Sequence, residues 1–184
     1  MTRFVVLIAI ILLGAVYRLL PHPANFAPIT AMALFGGAYF QQKRIAFIVP
    51  LFTLWLSDLI LNNLIYQAYF PEFTLFYSGF YWQYGSFLLI TYLGTFLQNN
   101  VKYLNVLGLS LSASLLFFLI SNFGVWASFG TYPPTLNGLL LCYIAGLPFL
   151  QNTILGDLFF CVLFFGLFEV LQSRFPKIQN QLVS

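Results

Sequence analysis

The stretch Ile45 to Tyr66 reads IAFIVPLFTLWLSDLILNNLIY, with Asp58 as its one charged residue. As a helix rising about 1.5 Å per residue it spans a hydrocarbon layer of about 30 Å. The rest of the chain has the same character. Of its 184 residues, 61% are hydrophobic and only 6% are charged, whereas soluble domains carry about 25% charged residues to cover a wet surface. The solvent of this chain is therefore mostly lipid. At roughly 20 residues per span, its length predicts one transmembrane domain, residues 1–184, an all-α bundle of about six spans. There is no room for a separate soluble enzyme domain. The formal charge of +3 is too small for a nucleic-acid-binding face and reads as a signal of topology.

Outward from this stretch, the predicted helices are Phe4 to Leu20, Phe26 to Phe40, Ile45 to Tyr66, Tyr81 to Gln98, Leu104 to Phe123, Leu136 to Leu150 and Thr153 to Leu171. The first follows Arg3 and lacks a small-x-small cleavage site, so it is expected to remain as a span rather than leave as a signal peptide. Two candidates are short. Phe26 to Phe40 has Pro28 in its first turn, where a missing N–H is harmless. Leu136 to Leu150 follows Pro133-Pro134 and contains Pro148, which interrupts a helix. Lys and Arg near span ends mark the cytoplasmic side. If the second segment crosses and Leu136 to Leu150 is re-entrant or an outer-loop helix, then Arg3, Lys43, Arg44, Lys102, Arg174 and Lys177 all lie inside. Only Arg18 then points outward. This arrangement predicts a multi-pass protein of the cytoplasmic (inner) membrane with both termini in the cytoplasm.

The outer connections are rich in rings. Tyr66 to Tyr84 contains ten aromatic residues with Glu72 as its only charge, and Trp126, Phe129 and Tyr132 lie in the last outer region. They read either as an interfacial belt, where Trp and Tyr sit well, or as a lid over an outward pocket. No internal repeat of the kind found in many secondary transporters is evident.

Ionisable side chains inside a bilayer are costly and point to function by default. Arg18 lies ~21 Å above Phe4, and Asp58 ~20 Å above Ile45, at the helical rise. Their matched depth predicts an ion pair if the two helices are neighbours. Trp55, Asp58, Asn62 and Tyr66 share one face of the third helix. Tyr84, Thr91, Thr95 and Gln98 form a stripe on the fourth, and Ser110, Ser114, Phe118 and Ser121 on the fifth; both stripes read as close packing by small polar residues. Asp157 has a plain explanation as a first-turn carboxylate facing the helix dipole. Glu169 is expected to snorkel inward or approach Arg174. His22 and Asn25 lie in a connection stiffened by Pro21 and Pro23. With Asn122 they place the unexplained polar groups in the outer third of the bundle. Cys142 and Cys161 have no metal-ligand spacing and read as packing residues; neither a metal site nor a cofactor is expected.

Several motifs carry a resemblance. Arg18-Leu19-Leu20-Pro21-His22-Pro23, Asn25 through Ala38, Ser57-Asp58, Ser121 through Trp126, Gly138-Leu139, Cys142-Tyr143, Pro148-Phe149 and Gly156-Asp157 together resemble an uncharacterised group of six-span bacterial membrane proteins described as transport proteins. That group is loosely similar to the substrate-binding S components of energy-coupling-factor (ECF) vitamin transporters. The resemblance implies capture of a vitamin-like or heteroaromatic small molecule from the outside, with an ECF-type coupling protein and ATPases as partners alongside the lipid bilayer. The chain departs from the S components in one respect: its small-x-x-x-small pairs, Ala27 with Ala31 and Ala33 with Gly37, fall on the second helix rather than the first.

The leading expectation is thus a non-enzymatic transport component whose substrate-binding residues are Arg18, His22, Asn25, Trp55, Asp58, Asn62, Trp82, Asn122, Trp126 and Asp157. An aspartyl intramembrane enzyme fits poorly, because Ile154 breaks the Gly-x-Gly-Asp pattern before Asp157. A structural membrane protein is the third class. One arginine and two aspartates leave the substrate open as a zwitterion, a cation or nothing charged, if the cluster neutralises itself.

Overall fold

The computed structural model describes residues 3–98, 100–175 and 178, and within them the chain is helical without strands. Six α-helices follow one another: α1 (Arg3–Arg18), α2 (Ile29–Tyr39), α3 (Lys43–Ile60), α4 (Phe80–Thr95), α5 (Tyr103–Phe129) and α6 (Leu136–Arg174). A five-residue π-helical turn, Leu61–Ile65, extends α3. With this extension α3 joins α5 and α6 as the three helices long and apolar enough to cross a membrane.

Helix α2 is the axis of the bundle. It touches all five other helices, and every residue from Thr30 to Tyr39 is buried. A helix surrounded by protein needs no polar face, which explains its uniform apolarity. The backbones of α2 and α4 meet where Gly37 lies against the Thr91 carbonyl and Gly94 lies against Leu34, leaving no space for a Cβ. On α3, the Pro50 ring packs over Gly36 in the same manner. On the α6 side, Phe35 packs edge-on to Phe165 and Phe168, with ring centroids 5.4 and 5.6 Å apart.

The helices alternate in direction, so the α2–α3 and α4–α5 connections and the ends of α1 and α6 gather at one end. Contacts tie that end together. Arg3 donates to Gln172 at 2.7 Å and lies over the Tyr39 and Phe168 rings. Gln98 donates to the carbonyls of Gly37 and Phe40 at 3.0 and 3.1 Å. Arg3, Lys43, Arg44, Lys102 and Arg174 therefore share one end, as the charge pattern requires. Lys177 and both chain termini lie outside the described residues. Glu169 at this end accepts from Tyr39 at 2.6 Å and from Gln172 at 3.2 Å. It is a structural acceptor here, not a partner of Arg174.

Two sequence expectations need correction. Leu136 to Leu150 is not a separate re-entrant or outer-loop helix. It is the first part of α6, which runs unbroken through Pro148 for 39 residues, about 58 Å. Pro148 lacks the N–H that would bond the Ile144 carbonyl, yet the turns on either side stay helical and the helix continues. The start of α6 is fixed instead by Thr135, whose side chain accepts from the Gly138 amide at 3.2 Å, and the end of α5 by Gly130 at φ 64°. The second predicted span is also shorter than expected, since Phe26 to Pro28 belong to the connection. At 11 residues α2 is about 16 Å long, half the thickness of a hydrocarbon core.

Candidate functional site

Arg18 ends α1 where α1 packs beside α3, and its guanidinium meets Asp58 at 2.6 Å with both side chains largely sequestered, 14% and 4% exposed. The same nitrogen donates to Ser57 at 2.6 Å, and Ser57 in turn donates to the Leu54 carbonyl at 2.7 Å. From α4, Tyr84 donates to the other Asp58 oxygen at 2.7 Å. Two charges buried together are tolerable only when their remaining hydrogen-bonding capacity is also met. Here three helices supply it for the carboxylate and for one terminal nitrogen of Arg18. The α3–α4 connection closes over this cluster. Tyr77 donates to Gln83; burial first, and the nearby Asp58 second, hold its hydroxyl above its usual range, so it remains a donor.

The connection is held by the π turn. Asn63 donates its amide to the Thr74 carbonyl at 2.9 Å and accepts from the Thr74 amide at 2.7 Å. This two-bond clamp reproduces the pairing one peptide unit gives another. Gln67 donates to the Asn63 carbonyl at 2.8 Å. Neighbouring Asn62 points elsewhere: it is buried, and its amide nitrogen has no partner among the described residues.

Asp157, 1% exposed, forms a second cluster between α6, α5 and α2. Ser114 donates to it at 2.6 Å, and Thr30 of α2 borders the same chamber. Asp157 lies in the interior of α6, so the helix dipole at the N-terminus does not account for it. Nor is Ser114 merely a packing residue.

Between these clusters runs the α1–α2 connection. Its tight course is set by Asn25, which takes φ 63°, a conformation asparagine tolerates better than most residues. Asn152 of α6 donates to the Ala24 carbonyl at 3.0 Å, and Phe26 passes against Gly156, where an added Cβ would lie 3.1 Å from the Phe26 Cα. His22 Nδ1 lies 2.6 Å from the Leu20 carbonyl. That nitrogen therefore carries the proton.

Two adjoining chambers open above this connection. The first, about 170 Å³, is bounded by Arg18, His22, Asn25, Thr30, Gln83 and Asp157 among others. The second, about 350 Å³, lies between α4, α5 and α6 and includes Ser121, Asn122, Tyr132 and Gly146. Asn25, Gln83, Phe117 and Thr153 border both, so the chambers are parts of one cavity.

A protein-family model described as a family of unknown function, DUF6580, matches residues 1–178. The chain belongs to this family. No curated protein and no solved structure matches the chain. Within this DUF6580 chain, then, the site is read from geometry alone.

Of the residues expected to bind substrate, Arg18, His22, Asn25, Asn122 and Asp157 border the cavity. Asp58 stands behind Arg18, and Asn62 borders neither chamber. The three tryptophans do not converge there. Trp82 covers Gly124 and donates to Ser128 at 2.8 Å; Trp126 donates to the Pro133 carbonyl at 2.9 Å. Trp55 borders a separate apolar groove with Phe52, Phe76 and Leu88. Their place is taken by phenylalanines: Phe87 of α4 and Phe117 of α5 stack at 5.3 Å with their planes 20° apart, and both border the first chamber. Gln83, Thr30 and Thr153 complete the wall. Thr30 was visible only as part of a motif; Gln83 and Thr153 carried no signal beyond polarity in apolar surroundings.

Proposed function

We propose that this chain is a membrane transport component that captures a small molecule in the cavity above the α1–α2 connection. The observation that supports it most is the composition of that cavity. Polar groups from five separated segments converge beside a stacked aromatic pair, inside an otherwise apolar bundle whose other basic residues, among those described, gather at the opposite end. Binding sites are built in this way, with an apolar lining and a few placed polar groups. In this reading the six helices lie in the inner membrane, with the half-length α2 enclosed by the others; the basic end faces the cytoplasm and the cavity opens outward. The sequence resemblance to S components extends the proposal to an ECF-type coupling protein and its ATPases as partners.

An aspartyl enzyme is the weaker alternative, since catalysis of that kind needs two carboxylates sharing a proton. Asp58 and Asp157 instead have separate partners, Arg18 with Tyr84 for the first and Ser114 for the second. The transport reading predicts that protein purified from its native host carries a small molecule, and that supplying that molecule in excess raises the melting temperature in detergent. Asn122→Ala, within the second chamber, should reduce the shift while lowering the stability of the unliganded protein by no more than about 1–3 kcal/mol. Empty protein that no vitamin, nucleobase derivative or amine stabilises would favour a structural role.

A further inference from the structure

The ionisable groups around the cavity are unequally partnered, and this bears on what it holds. The charge of Arg18 is balanced by Asp58, with Ser57 and Tyr84 adding hydrogen bonds to the pair. Asp157 has one hydroxyl donor, Ser114, and no salt bridge among the described residues. His22, Tyr66, Tyr132 and Cys142 are the other titratable side chains on the wall, and the Nδ1 proton of His22 is committed to Leu20. The ionised form of Asp157 therefore requires a positive charge supplied from the cavity. A carboxylate removed from water is strongly disfavoured without a counter-charge, and a cavity beside it provides a place for one. The stacked rings of Phe87 and Phe117 border the same chamber, and aromatic faces attract organic cations.

Resting on the reading of this cavity as a ligand site, we propose that it selects a small organic cation, an amine or cationic heterocycle, whose positive charge is met by Asp157. The hydroxyl of Ser114 holds the carboxylate in place. Gln83 and Asn25 offer amide groups to the ligand's neutral polar atoms. Of the three substrate classes left open by the sequence, a cation is the one that Asp157 favours, since the charge of Arg18 is already balanced by Asp58.

Three probes of similar size and different charge test this on the purified full chain: benzylammonium, benzyl alcohol and benzoate. Only benzylammonium should raise the melting temperature. It should also protect Asp157 from modification by dicyclohexylcarbodiimide, read by peptide mass spectrometry. Asp157→Asn should weaken benzylammonium binding by at least about tenfold, as expected on losing a charged hydrogen bond, with Asp157→Glu recovering part. Should Asp157→Asn fail to fold, protection in the unaltered protein decides the matter. Equal stabilisation by benzoate or benzyl alcohol would overturn the proposal, and equal protection by sodium chloride would assign Asp157 to an inorganic ion instead. If a neutral or anionic molecule co-purifies in the cavity, the charge assignment fails while the transport reading survives. If no small molecule of any charge binds, both fail.

Discussion

At the scale of single residues, the Arg18–Asp58 pair shows what helical arithmetic can reach. Two charged residues at equal height on two apolar helices have few ways to avoid the cost of burial, and pairing is the simplest. That pairing was legible. Its supporting hydroxyls were less so, because Ser57 and Tyr84 look like any polar residue on a helix. Asp58→Asn should leave a buried guanidinium without its counter-charge, a loss of about 3–5 kcal/mol. Arg18→Gln combined with Asp58→Asn should recover part of it, measured by thermal unfolding in detergent; simple additivity would mean that the pair contributes no coupling. Asp157 was harder to read. In sequence it has the plain explanation of a first-turn carboxylate, and Ser114 looks like a small packing residue, since only the fold brings Ser114 to it. The two adjacent asparagines were likewise indistinguishable before folding. The π turn directs Asn63 onto Thr74 and leaves Asn62 unpartnered. Asn63→Ala should therefore accelerate hydrogen exchange across residues 70–78, whereas release of Asn62's role should not affect that segment.

Among the elements, hydrophobic runs and polar breaks place the ends of α1, α3 and α4 closely, whereas α2 starts three residues late and α5 runs six residues past Phe123, taking Trp126 and Phe129 into the helix; only the last helix joins two predicted segments. The exception is instructive. Leu136 to Leu150 and Thr153 to Leu171 form one helix, in which the N–H missing at Pro148 interrupts the hydrogen-bond ladder at one point while the turns around it remain helical. A proline signals a break in sequence, but tertiary surroundings decide whether one occurs. Glycine conveys even less by itself. Gly94 sits in a backbone contact with Leu34, whereas Gly166 faces open space. Gly94→Ala should separate α2 from α4 and destabilise the protein by about 1–3 kcal/mol, while Gly166→Ala should be neutral or stabilising by about 0.5–1 kcal/mol through helix propensity. Comparison of their melting temperatures checks both. An equal effect of the two would contradict the central position given to α2.

For the whole molecule, composition alone was enough to show an apolar helical bundle, and the clustering of basic residues at one end follows from the alternating helices. What composition could not show is the half-length α2, which brings the α1–α2 connection into the bundle as the floor of a cavity. Sidedness is open to a direct check. Single cysteines at Gln42 or Asn100, in a background lacking Cys142 and Cys161, should resist an impermeant thiol reagent in intact cells, and cysteines at Glu72 or Thr131 should react. All four positions are exposed, so reactivity reports the side of the membrane; labelling at Gln42 from outside would reverse the orientation. The capture of a small molecule in the cavity is tested most directly by native mass spectrometry of protein released gently from its host membrane, set beside the variant Ala145→Trp, which places a large ring in the second chamber. The account predicts a bound mass of small-molecule size on the unaltered protein and its loss from a variant that still unfolds cooperatively. The same mass retained on Ala145→Trp, or no bound mass on either, would contradict it.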